Sequence, residues 1–560
     1  MVTHNERGIA LVIALFLMTA LSVLGASLMF LSQTETYASM NYRTMSQTRY
    51  AAEAGVNQAA SFLLDNGPGG QYQVPTVAPG VDPIAAYDIN KSPVQINGQP
   101  VVLSANAAVA SNYPVQAVKD AFFAAGHGTL TAGAATLTYK TYATLISMMS
   151  FADRFGQQQV IQTWEITSDG GLASSAKVTV RVAAQVETPR VSANAMAAFA
   201  TDNGCDALKL YGNMSTNSYD SAMGPPGAVN CAAGAPPPNA ANSSSCSGGD
   251  VGTNGNIHVW GSADVNGHLY TPRPGVGACT AGAVTGLTEG GSINVAGGLV
   301  SLPKALQFPV PPFSVTPPTN NITIDNGFLG NTLATAANAC ATLGSIGNPP
   351  VPLTLGVNCD CLTSAGGSAA MGVAGNYTTI VVNGNGTNVT LPNISVSKNY
   401  TLDIKGASPN ETVNINSLVG KGNVNFDYAN DNQMITLMVA GKNADGSEMP
   451  VAFDLSDVDS QWKQNKPPGD ATWDASALQI IYGGSQAINM KGGNSQSAVT
   501  LYAPNAAFSL QGTQDLFGSV LAKTVTDGGT GAIHYDRRLQ REFWIVGQPM
   551  MGTFSWLRAQ

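Results

Sequence analysis

The chain has 560 residues, a net charge of −9 and a pI near 5.0, with 11% charged and 44% hydrophobic residues. That balance excludes disorder, which needs few apolar residues and high net charge, and the low charge excludes a coiled coil. An acidic chain also lacks the basic surface that nucleic acid requires, so no nucleic-acid partner is expected. Its 61 Gly and 44 Asn indicate short strands and many turns, as in secreted β proteins.

Residues 1–8 read MVTHNERG. Residues 9–31 then read IALVIALFLMTALSVLGASLMFL, with no charge until Glu35. At about 1.5 Å per residue this run spans roughly 30 Å of hydrocarbon. A cleaved secretory signal fits less well. Its apolar core is shorter, its leader carries net positive charge, and Leu24-Gly25-Ala26 is a poor cleavage site. The run reads as a single-pass anchor, and Arg7 alone gives weak support for an inside amino terminus.

The helix is expected to continue past the anchor. Between Glu35 and Leu64 there is no Pro, and Gly55 is the one Gly. Met45, Ala52, Val56, Ala60 and Leu63 keep helical spacing. Asp65-Asn66-Gly67-Pro68-Gly69-Gly70 supplies the stop, giving a helix over 9–66.

A short leader ending in Gly, a hydrophobic stretch and one long amphipathic helix resemble the class III signal of type IV pilins and pseudopilins. More narrowly, ERGIALVIAL with RYAAEAGVNQA at 49–59 resembles the amino-terminal region of PilX-type pilus assembly proteins, which are minor pilins. The resemblance covers about 60 residues. It implies cleavage by prepilin peptidase between Gly8 and Ile9, followed by methylation of the new amino terminus. It also implies inner-membrane residence before assembly, most of the chain periplasmic or extracellular, and a place on the pilus afterwards. The implied partners are other pilins and minor pilins, prepilin peptidase and the inner-membrane assembly platform.

One departure is informative. Major pilins carry a Glu at the fifth mature position, where this chain has Ile13. In the family that carboxylate pairs with a neighbouring subunit's amine, and an unpaired charge in hydrocarbon is costly. Subunits at filament tips commonly lack it, so a tip or priming role is expected. The small residues Ala51, Ala52 and Gly55, together with Glu53, are expected to serve close helix packing, in lipid or in a filament core.

Residues 67–195 mix a helix near 115–125 with strand-like runs. Alternation at 135–142 reads as a strand, and 159–187 reads as a hairpin turning at Ser168-Asp169-Gly170-Gly171. A helix on a small antiparallel sheet is the pilin plan. Composition changes near 196, and 31 of the 44 Asn lie in 201–450. Short apolar runs recur there: TTIVV, ISV, YTLDI, VNI and MITLMVA, then LQIIYG, AINMKG, AVTLYAP and AAFSLQG. Short strands separated by Asn and Gly turns suit a β-helix over 196–545, with β-sandwich domains as the alternative. Residues 546–560 read as a C-terminal strand or tail. The segments 207–224, 249–270 and 518–539 resemble the β-solenoid domain found after PilX-type amino termini. The fold expectation is therefore α+β, mostly β. Segments 231–255, 303–318 and 457–474 look like insertions.

Seven cysteines, Cys205, Cys231, Cys246, Cys279, Cys340, Cys359 and Cys361, lie in the external part and are expected to form disulfides of open connectivity. Zinc needs CxxC or Cys/His pairs, and only CxC occurs, so no metal is expected. His258 and His268 are ten apart, and the acidic turns at 443–448 and 454–459 match no calcium loop. His534-Tyr535-Asp536-Arg537-Arg538 is the densest polar cluster and reads as a structural hydrogen-bond network. No nucleotide, hydrolase or metalloprotease motif is present, so neither a catalytic residue nor a cofactor is expected. The functional expectation is a membrane-anchored, non-enzymatic minor pilin. It would display a large β-rich domain for adhesion to a surface, a polysaccharide or a partner. The alternatives are a tethered β-helix polysaccharide lyase or hydrolase, and a type II secretion pseudopilin.

Overall fold

The computed structural model describes most of residues 7–559; the longest stretches outside the described residues are 224–247, 325–340, 357–377 and 466–473. The chain forms two compact units: residues 1–153, 157–190 and 546–560 in the first, and 154–156 with 191–545 in the second.

The first unit is built on helix α1, Arg7–Leu64. Its carboxyl-terminal half buries Thr48, Ala51, Ala52, Val56, Ala59, Ala60, Phe62 and Leu63, a face with spacings of three and four. That face lies on an antiparallel sheet. Along it run β1 (Val102–Ser104), β3 (Ala135–Ala152), β4 (Gln158–Leu172), β5 (Ser175–Glu187) and the C-terminal strand Met550–Ala559, while β2 (His127–Ala132) also pairs with β3. The C-terminal segment is thus a full strand of this sheet, with Trp556 opposite Val182. Residues 191–545, nearly all of the second unit, are inserted between β5 and its antiparallel neighbour.

The second helix, α2 (Gln116–Gly126), buries Val118 and Phe122, and Phe122 meets Phe62 edge-on at 5.4 Å. Beneath lies a polar knot inside an aromatic cluster. The Tyr87 and Tyr113 hydroxyls donate to Asp82 at 2.8 and 2.7 Å, and the Tyr72 hydroxyl donates to Gln162. Burial pushes all three phenols above their usual range, so they remain donors.

The expected turn at 168–171 is corrected. Asp169, Gly170 and Gly171 are paired within β4, opposite Arg181, Val180 and Thr179, and the reversal falls after Leu172. The reason is steric. A Cβ on Gly170 would lie 2.0 Å from the Thr48 carbonyl oxygen and 2.6 Å from the Ala52 nitrogen. The glycine is spent on helix approach, not on a turn.

The second unit is dominated by parallel strands in three stacks. Leu208–Gly212 pairs with Ile257–Gly261, which pairs with Leu287–Gly291. Ser215–Tyr219 pairs with Asp264–Val265, and Val251–Thr253 with Leu269–Thr271. The apolar runs ISV, VNI, MITLMVA, LQIIYG, AVTLYAP and AAFSLQG fall in the parallel strands Val389–Val396, Asn410–Gly420, Met434–Val439, Leu478–Tyr482 and Gln496–Gly512. Inward Leu, Ile and Val fill one long core, from Leu269 through Ile257, Leu208, Val525, Leu501 and Ile480 to Ile415.

The order of stacking is unusual. Ala198–Ala200 lies between Val251–Thr253 on one side and Val520–Ala522 on the other. The chain therefore enters mid-stack and winds outward to Leu299–Ser301. It resumes at Asn321–Ile324 and winds back until 525–536 pairs with 208–219. Asparagines ladder between neighbouring strands: Asn393 donates to Asn321 at 2.9 Å, and Asn416 donates to Asn393 at 2.6 Å. Part of the segment expected as Pro-rich and extended is tied down, since Leu306 exchanges two bonds with Asn254 and Phe308 packs on Phe199.

The close approach at Gly170 makes a direct prediction. Gly170→Ala is expected to cost about 1–3 kcal/mol, lowering the thermal transition of the first unit by several degrees in the detergent-solubilised chain. An unchanged transition would contradict the contact.

Candidate functional site

Helix α1 divides into two lengths with different surroundings. From Ile9 to Leu31 its large apolar side chains are exposed, Ile9 at 65% and Phe30 at 70%. Their neighbours Thr19, Ser22 and Ser27 return their hydroxyls to carbonyls three or four residues earlier, so no donor is left pointing outward. Among the described residues this is one helix long and apolar enough to cross a membrane, by length and composition. Arg7 and Gly8 lie in its first turn, next to Ile9, so the expected processing pair falls at the helix start. Ile13 takes its place in the exposed apolar length, at 55% exposure.

The small residues expected to serve helix packing are placed differently. Ala51 and Ala52 are fully buried, and Gly55 is seated over a hydroxyl pair in which Thr141 donates to Ser168 at 2.9 Å. A Cβ on Gly55 would meet those two hydroxyl oxygens at 2.7 and 2.3 Å. In this chain these small residues pack on its own sheet. Glu53, on the flank, is paired with Arg49 at 2.8 Å.

Of the seven cysteines, Cys205 and Cys279 form a disulfide, with Cα atoms 5.5 Å apart. It ties the entry to strand Leu208–Gly212 to the loop before Leu287–Gly291. Cys231, Cys246, Cys340, Cys359 and Cys361 lie outside the described residues. The two histidines ten apart have partners of their own: His258 the Tyr211 hydroxyl at 3.4 Å, and His268 Asp250 at 3.2 Å. No group of three or more His, Cys, Asp or Glu that could hold a metal occurs among the described residues. In the acidic turn at 443–448 Asp445 accepts from Ser447 within the turn, and Glu448 accepts from Ser485 on a separate segment.

The cluster at 534–538 forms a buried polar network. Asp536 accepts from the amides of Ser221, Ala475 and Arg538 and caps the short helix Arg537–Arg541. Arg538 bridges Asp474 at 3.0 Å and Glu542 at 2.9 Å, and Tyr535 donates to the Asn194 carbonyl. Burial raises the Asp536 carboxyl to about 6, against the pull of these donors. His534 stacks on Phe517 at 4.3 Å, and burial lowers its ring below the usual range, offset in part by Asp515.

Sequence reading missed Asp527. Its register partners are Leu510 and Leu210, both core residues, so a carboxyl stands in an apolar column. Neither oxygen has a well-aligned hydrogen-bond partner among the described residues. Burial raises it to about 7, which the nearby Gly529 amide only partly offsets. The alternation of Val525 and Asp527 on one strand face was the signal that would have found it.

One cleft of about 490 Å³ is lined by Asn321, Asn393, Ile394, Val419, Val451 and Asp454. Another of about 350 Å³ is lined by Asp202, Glu448, Ser485, Asn505 and Lys523. Hydrogen bonds from Ser485 hold the Glu448 carboxyl below its usual range.

Residues 7–57 match the family model described as PilX N-terminal, and residues 393–542 match a domain of unknown function (DUF7305). No curated protein matches. Among solved structures, the crystal structure of the competence-associated pilin ComZ from Thermus thermophilus aligns with 12% identity. The alignment covers 92% of this chain and 98% of that one, at a TM-score of 0.26, too low to bear on the fold.

The two raised carboxyls give a pH prediction. Their folded values near 7 and 6 exceed the unfolded value near 3.9, so the stability they contribute is complete below pH 4 and lost as pH rises through 6 and 7. Asp527→Asn is expected to flatten thermal stability between pH 5 and 8, by up to about 1.4 kcal/mol per pH unit at the steepest point. An identical pH dependence in the variant would contradict the burial of that carboxyl.

Proposed function

We propose, from a PilX-type amino-terminal segment over residues 7–57, that this chain is a minor-pilin-like subunit of a type IV pilus or a related machine. The exposed helical length holds the subunit in the inner membrane before assembly. The same length packs among other pilins in the filament, and the inserted second unit is displayed outside.

One observation carries this reading. A single unbroken helix has one end seated on its own sheet and the other end apolar, exposed and without partner side chains. Such a helix needs lipid or other helices around it. Prepilin peptidase and the assembly platform enter as partners through the family resemblance.

The finer reading is a tip or priming subunit. Ile13 supplies no carboxylate for a neighbour's amine, which supports a terminal place over a repeating one. The bulk of the second unit supports the same place, because its 191–545 segment exceeds the first unit in length and would crowd every shaft position. We read the three parallel stacks as a three-sided β-helix, a form that offers long flat faces for contact. The subunit is read as structural, not catalytic, with a tethered polysaccharide-active enzyme as the alternative.

The test is the amino-terminal mass of the membrane-extracted chain, with and without co-expressed prepilin peptidase. Loss of residues 1–8 with a methylated Ile9 is the expected result. An intact terminus, or cleavage near Ala26, would overturn the reading.

A further inference from the structure

One exposed aromatic side chain on the second unit is held in a way that ordinary surface tryptophans are not. Trp260 is 60% exposed, on strand Ile257–Gly261. Its register partner on the next strand is Gly290. A Cβ there would lie 2.2 Å from Cε3 and 2.5 Å from Cζ3 of the indole. The six-membered ring therefore occupies the space above Gly290 where a side chain would stand. The indole is laid against the sheet with one flank supported by backbone.

The surroundings complete a platform. Tyr211 is the register partner of Trp260 on the other side, and His258 packs edge-on to both, at 5.5 Å from Tyr211 and 6.4 Å from Trp260. The Tyr211 hydroxyl and His258 Nδ1 lie 3.4 Å apart, which steadies both rings. Beside the aromatic row runs a polar one, with Lys209 in register with His258. The Lys209 ammonium is held by Asp206 at 3.0 Å, so the platform's cation is already neutralised.

We propose that Trp260 is a stacking platform for a pyranose ring of a neutral polysaccharide, with Tyr211 and His258 as its edge and Lys209 as a hydrogen-bond donor on its rim. The apolar face of a pyranose presents C–H groups of slight positive charge, which suit the negative face of an indole. Its equatorial hydroxyls reach outward to a polar rim. Charge decides between ligand classes. A chain of net charge −9, with the Lys209 ammonium paired, repels nucleic-acid phosphates and anionic glycans alike. A protein partner needs a contiguous apolar patch, whereas the strand neighbour on the same face is the polar His258. The proposal rests on the second unit being a display domain, but not on processing at Gly8.

The test is affinity electrophoresis of the full chain in mild detergent. Separate gels contain dextran, mannan, laminarin, hydroxyethylcellulose and, as the anionic comparison, alginate. Retardation in at least one neutral gel is expected. Trp260→Ala is expected to weaken it about tenfold or more, as loss of a stacking ring does elsewhere. Gly290→Val keeps the tryptophan but lifts the indole off the sheet, and should weaken binding similarly. Both positions are at the surface, and an unchanged thermal transition verifies that each variant folds. Retardation in no neutral gel, retardation in alginate alone, or wild-type retardation in both variants would overturn the proposal. Because unprocessed chain is used, failure here leaves the amino-terminal mass result untouched, and the reverse also holds.

Discussion

The contact on which the first unit depends is backbone against backbone, where the helix crosses Gly170 with the Thr48 carbonyl and Ala52 amide pressed on the strand. Helix and sheet normally stand apart by the length of two side chains. Here Gly170 removes one and Ala51, Ala52 and Gly55 nearly remove the other. The approach lets Val56, Ala60 and Leu63 reach the same core as Trp164 and Phe122. It also fixes where seating ends. Toward the amino terminus Tyr37, Met40 and Tyr42 are exposed, and the apolar length begins soon after. One helix is thus held rigidly at one end and offered at the other.

Much of this was legible in the sequence, and the misses have physical causes. The long helix was plain because no Pro interrupts it and its apolar residues keep a helical period. The strands of the second unit were plain because their apolar runs are bounded by Asn and Gly. Gly170 was misread because Asp-Gly-Gly between alternating runs is a turn signal, and only the presence of a helix overhead distinguishes a glycine needed for clearance. The small residues Ala51, Ala52 and Gly55 of the helix lie over the sheet. Sequence periodicity tells which face is buried and not what buries it, so the sheet beneath them was not legible. Asp527 escaped because one carboxyl in a strand face does not disturb the pattern of the rest.

Connectivity was the least legible feature. The second unit is inserted between two paired strands of the first, so residues 550–559 complete a sheet begun some four hundred residues earlier. Within the second unit, Leu208 pairs with Val525 and Asn217 with His534, closing the stack where its two windings meet. The buried network of Asp474, Asp536 and Arg538 lies at this closure, where Asp536 also receives the Ser221 amide from the first winding. Nothing local encodes such pairings. They cost loop entropy that only the finished core offsets, so this closure should form late in folding.

Under the proposed function, the two lengths of the helix and the inserted unit together present a large β structure on a filament. The most direct measurement is immunogold labelling of the second unit on intact filaments from the native host, with a prepilin-peptidase deletion alongside. Label at filament ends, absent in the deletion, is the predicted result. Label confined to the cell envelope in cells that make filaments would contradict the account.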